Sequence, residues 1–168
     1  MDRKERFVMT VTALLMAVVA ACAREEVREP LASGADERPA VAFSDPATID
    51  NPYLPLTKFA ECTLEGAEGD TEIKVVRTLT DETKQITWDG RTIEPVVMRD
   101  REWEDGELVE ETHDWFAQSD DGTVYYFGEA VDNYEDGKIA NHDGAWELGK
   151  DTDNPGVLMP ADVAVGSR

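Results

Sequence analysis

Four Asp-Gly pairs, Asp89-Gly90, Asp105-Gly106, Asp121-Gly122 and Asp136-Gly137, recur along the chain at spacings of 16, 16 and 15 residues. A two-residue type I′ turn needs positive φ at both central positions, which aspartate tolerates and glycine adopts freely, so Asp-Gly is a strong hairpin signal. Between the pairs lie runs rich in β-formers, Thr92 to Trp103, Leu108 to Ala117 and Thr123 to Val131. A strand plus its turn fits that spacing, and the repetition predicts an antiparallel meander. A fifth pair, Asp143-Gly144, precedes Ala145-Trp146-Glu147-Leu148. No helical period runs through this part of the chain, so the expected fold class is all-β. Val109, Glu111, His113, Trp115 and Ala117 alternate with Leu108, Glu110, Thr112, Asp114 and Phe116, and neither set is wholly apolar. The buried face therefore stays open, and apolar groups on both sides suit a curved sheet, a sandwich or a partial barrel.

One stretch, DWFAQSDDGTVYYFGE (Asp114 to Glu129), poses a chemical choice. Its paired aspartates fit a metal loop, an acid cluster for sugar binding or catalysis, or a tight turn. Asp121-Gly122 falls in step with the other pairs, which favours the turn.

The N-terminus has a different character. MDRKER is basic, and Phe7 to Ala21 follows without a charge. A charged start, an apolar run and small residues at its end describe a secretory signal, expected over residues 1–21. Val19-Ala20-Ala21-Cys22 resembles the bacterial lipobox, in which the cysteine is acylated, so Cys22 is the expected lipid attachment site. An uncleaved membrane span is the weaker alternative, because Phe7 to Ala23 gives 17 uncharged residues where a span wants about 20. A plain signal with an unmodified Cys22 is the other. Residues 22–42, charged and holding two prolines, read as a flexible tether reaching about 25 Å on average. A single β domain is expected over 43–168, led in by FSDPATIDNPYLPL, whose three prolines exclude a regular helix.

Charge excludes some partners. The chain has 16 basic and 37 acidic side chains, and loss of Met1 to Ala21 leaves 13 and 35, a net charge of −22 with histidines neutral. Nucleic acid needs a basic surface and is not an expected partner. An anionic bilayer would repel the domain, so membrane attachment falls to the lipid. With Cys22 acylated, Cys62 has no disulfide partner, and its place in Phe59-Ala60-Glu61-Cys62-Thr63-Leu64 predicts a buried structural thiol.

Phe43-Ser44-Asp45-Pro46, Ile49 to Leu56 (IDNPYLPL), Arg99-Asp100-Arg101, Asp105 to Glu110 (DGELVE), Asp114 to Gln118 (DWFAQ), Asp121 to Glu129 (DGTVYYFGE) and Pro155 to Ala161 (PGVLMPA) belong together as a pattern. The pattern resembles a group of uncharacterised secreted bacterial proteins and lipoproteins. It covers roughly Phe43 to Gly166 and implies class and location, with no activity attached. Members of that group continue for several strands beyond the part matching Met159-Pro160-Ala161. A C-terminally truncated copy lacking part of its sheet, with an unpaired edge or an open core, is the corresponding expectation.

Catalytic signatures are sparse. Ser33, Ser44, Ser119 and Ser167 lie in no Gly-x-Ser-x-Gly elbow, only His113 and His142 could act as bases, and no zinc spacing or phosphate loop occurs. Both histidines read as surface or half-buried residues. Asp151-Thr152-Asp153-Asn154-Pro155-Gly156 with Asp162 partly matches a calcium loop at positions 1, 3, 6 and 12. Proline replaces the ligand at position 5 and no helices flank it, yet Asp151, Asp153 and Asp162 are the metal candidates and calcium the one candidate cofactor. Carboxylate pairs are too many to discriminate. Trp103, Trp115, Tyr125, Tyr126, Phe127 and Trp146 read first as core and cross-strand packing, and second as a groove for an apolar or glycan ligand.

The expectation is an exported, non-enzymatic protein anchored to a bacterial membrane, on its periplasmic or extracellular face. Its β domain would bind an apolar or glycan ligand; alternatively it is a structural or protein-interaction module of the cell envelope; a calcium-dependent or carboxylate-based enzyme comes third. A continuous apolar cavity would mark the first, a filled core with an exposed strand edge the second, and convergent desolvated carboxylates the third.

Overall fold

A computed structural model describes residues 40–164. The signal segment, Cys22 and the tether up to Pro39 lie outside these residues. The described chain is nearly all-β, with antiparallel strands in a sheet that is not closed. Ten strands follow one turn of 3-10 helix at Leu56–Lys58: β1 (Glu61–Glu68), β2 (Thr71–Thr83), β3 (Ile86–Trp88), β4 (Arg91–Ile93), β5 (Val96–Glu104), β6 (Glu107–Gln118), β7 (Val124–Glu135), β8 (Lys138–Asn141), β9 (Trp146–Glu147) and β10 (Gly156–Met159). The main sheet runs β1-β2-β5-β6-β7-β10, with β8 and β9 also pairing with β7, while β3 and β4 form a separate hairpin.

Turn chemistry sets this order. Asp89, Asp105 and Asp136 have φ near +50° and Gly90, Gly106 and Gly137 follow with positive φ, as a type I′ turn requires. They close β3 on β4, β5 on β6 and β7 on β8. Asp121-Gly122 closes β6 on β7 differently. Only Gly122 has positive φ, and Ser119 to Thr123 form a longer loop. Asp143-Gly144 closes no hairpin, since β8 and β9 pair with β7 and not with each other. The predicted run Thr92 to Trp103 is also two strands, because Glu94-Pro95 interrupts it and Pro95 cannot donate to a ladder.

Both faces of the sheet are apolar at one end. On the first face Val97, Trp115, Ala117 and Phe127 pack with Leu148 and with Ile86 and Ile93 of the small hairpin, with Phe43, Trp88 and Tyr125 against them. On the second face Val96, Met98, Phe116 and Val124 pack with Ile49 and Leu56 of the proline-rich lead-in, with Leu158 and Met159 alongside. Two apolar faces explain why neither alternating set of β6 was wholly apolar in sequence. At Gly128 (φ 135°) a Cβ would stand 2.3 Å from the Trp146 carbonyl oxygen, so the close crossing of β9 over β7 requires glycine there.

Asn51 joins the pieces. It is 2% exposed, and its amide nitrogen donates to the carbonyls of Gly122 (2.8 Å) and Pro160 (3.2 Å). Its side-chain oxygen accepts from Tyr53 N, and its own N donates to Gln118 Oε1. Asn51→Ala would take these partners from the carbonyls of Gly122 and Pro160 and from the Tyr53 amide, and would empty a buried site. We expect it to destabilise the domain by about 2–4 kcal/mol, read as a lower denaturant midpoint at unchanged slope. An unchanged midpoint would remove Asn51 as the joint.

Candidate functional site

The stretch Asp114 to Glu129 folds on itself as the β6–β7 hairpin. Its tip is structural. The Asp121 carboxylate accepts from Ser119 Oγ (2.6 Å) and Thr123 N (2.9 Å), which hold it below the usual carboxylate range. Asp120 accepts from the backbone N and hydroxyl of Ser44 at 2.6 and 2.8 Å and so ties down the start of the domain.

Its ends are chemically different. Asp114 and Glu129 stand directly opposite each other in the ladder. One strand over, Glu102 of β5 stands opposite Glu110 of β6. Alternation puts all four carboxyls, with Asp100, on the second face of the sheet. Like charges directly opposite repel, and burial adds to the penalty on the charged forms. Burial and then Glu110, Glu104 and Asp100 push Glu102 up to about 7. Burial and then Asp114 do the same to Glu129, also to about 7, against hydrogen bonds from Tyr126 and Trp146 that favour the anion. Glu110 is raised by burial and by Asp114 and Asp100. Asp114 is 7% exposed and raised by burial, although the Tyr126 hydroxyl donates to it at 2.5 Å and Thr112 Oγ1 at 3.0 Å. The cation in contact is Arg77, whose guanidinium clamps both oxygens of Asp100 at 2.6 to 3.0 Å.

This acid face was missed in the sequence, where 35 carboxylates offer too many pairs. The register is the signal that could have found it. The bulge between Trp115 and Phe116 shifts that register by one from simple counting and so sets Asp114 opposite Glu129.

The six aromatic candidates do not line one groove. Trp115, Tyr125 and Phe127 lie on the first face, in the cluster with Phe43 and Trp88, two aromatics the sequence reading did not include. Tyr126 and Trp146 lie on the second face, edge to face at 5.1 Å, with Tyr126 stacked on Phe116. Trp103 sits at the far end of the sheet under Lys74. The three metal candidates are not brought together either. The Asp151 carboxylate accepts from Glu147 N at 2.8 Å, and among the described residues no three His, Cys, Asp or Glu side chains are grouped to hold an ion. His113 is half-buried near Glu82, and His142 is exposed beside Asp132. Cys62 corrects its expectation. It is exposed, because β1 is an outer strand with all eight residues open to solvent.

Two depressions lie on the β1–β2 side of the described surface. One of about 160 Å³ is apolar and lined by Leu54, Pro55, Leu56, Phe59, Cys62, Arg77 and Met98. The other is a wide, polar hollow of about 640 Å³ along Glu65 to Ala67, Glu72 to Lys74, Trp103 and Gly106. No family model, no curated protein and no solved structure matches the chain.

The acid face has a measurable consequence. Glu102 and Glu129 keep their protons in the folded state to about pH 7, whereas the unfolded chain releases them near pH 4.3. The folded state therefore binds more protons in that window, and stability falls as pH rises through it. Allowing for solvent screening of half-buried groups, we expect a loss on the order of 2 kcal/mol between about pH 5 and about pH 8. Glu102→Gln and Glu129→Gln should each flatten that slope in denaturant titrations. An unaltered slope in both would show that these carboxyls are already ionised.

Proposed function

We propose that the chain is an exported lipoprotein, held to a membrane through Cys22, whose β domain is a non-catalytic interaction module of the cell envelope. The partner contact is the outer edge of β1. The basic start, apolar run and lipobox-like Val19-Ala20-Ala21-Cys22 support the location. The resemblance to secreted bacterial lipoproteins adds to it.

One observation carries the contact. β1 is eight residues long and exposed at every one, and among the described residues no strand pairs with its outer side. A bare edge of this length is a template for another strand. Leu64 and Phe59, 57% and 60% exposed, add apolar surface at the same place. The apolar pocket at Leu54 to Met98, at about 160 Å³, is below the roughly 300–1,000 Å³ of ligand pockets.

Hydrogen exchange on the full chain, alone and with purified cell-envelope protein, tests this reading. Slowing confined to the β1 amides is the expected result. Exchange unchanged in β1 but slowed around Leu54, Leu56 and Met98 on adding a fatty acid would instead support the apolar-ligand reading and sink ours. Cys22→Ala should move the chain from the membrane fraction to the soluble one, and persistence at the membrane would overturn the anchor.

A further inference from the structure

We propose that the strand accepted by β1 is a cationic one, an extended segment of a partner protein in which basic side chains alternate with apolar ones. This inference rests on the reading of β1 as the contact edge and adds the chemistry of what it takes.

The ladder fixes which groups are on offer. Leu79 N donates to Ala60 O at 2.9 Å, and β1 pairs with β2 without a bulge from Glu61↔Thr78 to Glu68↔Thr71. In an antiparallel ladder bonded and non-bonded pairs alternate. Cys62, Leu64, Gly66 and Glu68 therefore bond to β2, while Glu61, Thr63, Glu65 and Ala67 turn their N–H and C=O outward.

Side chains follow the same alternation. Glu61 and Glu65 stand on the first face, in line with the outward backbone groups that an added strand would bond. Leu64 and Cys62 stand on the second, continuous with Val75 across the ladder and near Phe59. A strand placed beside β1 thus meets carboxylates on one face and apolar surface on the other.

The surroundings sharpen the charge. Glu68, Asp70 and Glu72 crowd the β1–β2 turn, and none of Glu61, Glu65, Glu68, Asp70 and Glu72 has an ion-pair partner among the described residues. Of the cations on β2 and β5, Arg99 and Arg101 stand on the same face as Glu61 and Glu65 but one strand beyond β2, with Arg101 paired to Glu111. Arg77 is committed to Asp100, and Lys74 stands opposite Glu65 and over Trp103. A second copy of the chain would bring another net charge of −21 to this edge, so the complement is basic.

The test uses the full chain and three N-acetylated eight-residue probes. These are alternating Lys-Val, alternating Glu-Val, and the Lys-Val sequence N-methylated at every second residue. We expect the first to bind saturably and the other two at least tenfold more weakly. Thr63→Pro deletes one outward N–H and none of the β1–β2 bonds, and it should lose Lys-Val binding at least tenfold while melting as the wild type does. Glu61→Lys with Glu65→Lys leaves the backbone alone, so it serves even if the proline variant fails to fold, and it should reverse the preference toward Glu-Val.

The outcomes separate the two readings. Binding of Lys-Val that neither N-methylation nor Thr63→Pro weakens is diffuse attraction to an acidic protein, and both readings fall. Binding of Glu-Val as tight as Lys-Val, lost in Thr63→Pro, keeps the edge and overturns the cationic partner. So does a concentration-dependent dimer abolished by Thr63→Pro, which would make the occupant a second copy. No binding of any probe overturns the cationic strand.

Discussion

The β domain depends on one buried amide. Three segments far apart in sequence meet at Asn51: the proline-rich lead-in, the β6–β7 loop through Gly122, and the chain after β10 through Pro160. Gln118 completes the joint, taking Asp50 N and Asn51 N on one oxygen and donating to Asp50 Oδ1. An asparagine suits this place because it offers two donors and an acceptor without charge, and burial makes each unsatisfied group costly. The apolar cluster of the second face, with Ile49 and Leu56 from the lead-in and Val124 from β7, forms around it. Without the joint the lead-in keeps its bonds to Gln118 and Asp120 farther up the chain, but the part that covers Met98 and Phe116 loses its polar anchor.

The same sheet carries two kinds of surface on one face. Where the lead-in covers it, the rows are Val96, Phe116 and Met98. A few residues along, the rows become Asp100 beside Thr112, Glu102 beside Glu110 and Asp114 beside Glu129. Nothing in strand pairing favours opposed carboxyls. They persist because hydroxyl donors stand among them, Tyr126 and Thr112 on Asp114, and because a raised proton affinity removes part of the repulsion. Burial also pushes the Tyr126 phenol well above its ordinary range, so it remains a donor to the pair. Among the described residues one buried side-chain polar atom lacks a partner, Arg99 Nε, and it belongs to the opposite face.

Much of the fold was legible because turn chemistry is local. Asp-Gly at 89, 105 and 136 specified three turns by backbone sterics alone. What sequence hid was tertiary. Gly69-Asp70 makes the β1–β2 turn with positive φ at its glycine, but it reverses the Asp-Gly order and went unread. Asp143-Gly144 has the right letters and joins two strands that share β7 as a neighbour, a relation no dipeptide can encode. Cys62 lies in a strand as expected, yet burial of a strand depends on what flanks it. The acid face needed register, which the five-residue β6–β7 loop and the bulges near Trp115 and Glu102 displace from simple counting.

The two edges of the sheet are handled unequally, and this asymmetry gives the domain a direction. The outer side of β7 is tiled by three short pieces, β10 at Val124 to Tyr126, β9 at Gly128 and Glu129, and β8 at Asn133 to Glu135. Short, broken edge strands are poor templates for further pairing. Among the described residues β1 has no such cover, and it has no bulge and no proline. Its protection is charge alone, from Glu61, Glu65 and Glu68. Charge differs from steric cover in what it admits. A bulge or a proline turns away every strand, whereas a row of carboxylates on a chain of net charge −21 turns away its own copies and other acidic chains. A device that keeps identical molecules apart in this way leaves the backbone of Glu61, Thr63, Glu65 and Ala67 open to a strand of opposite sign. On the proposed reading the same residues that guard against self-association would also select the partner.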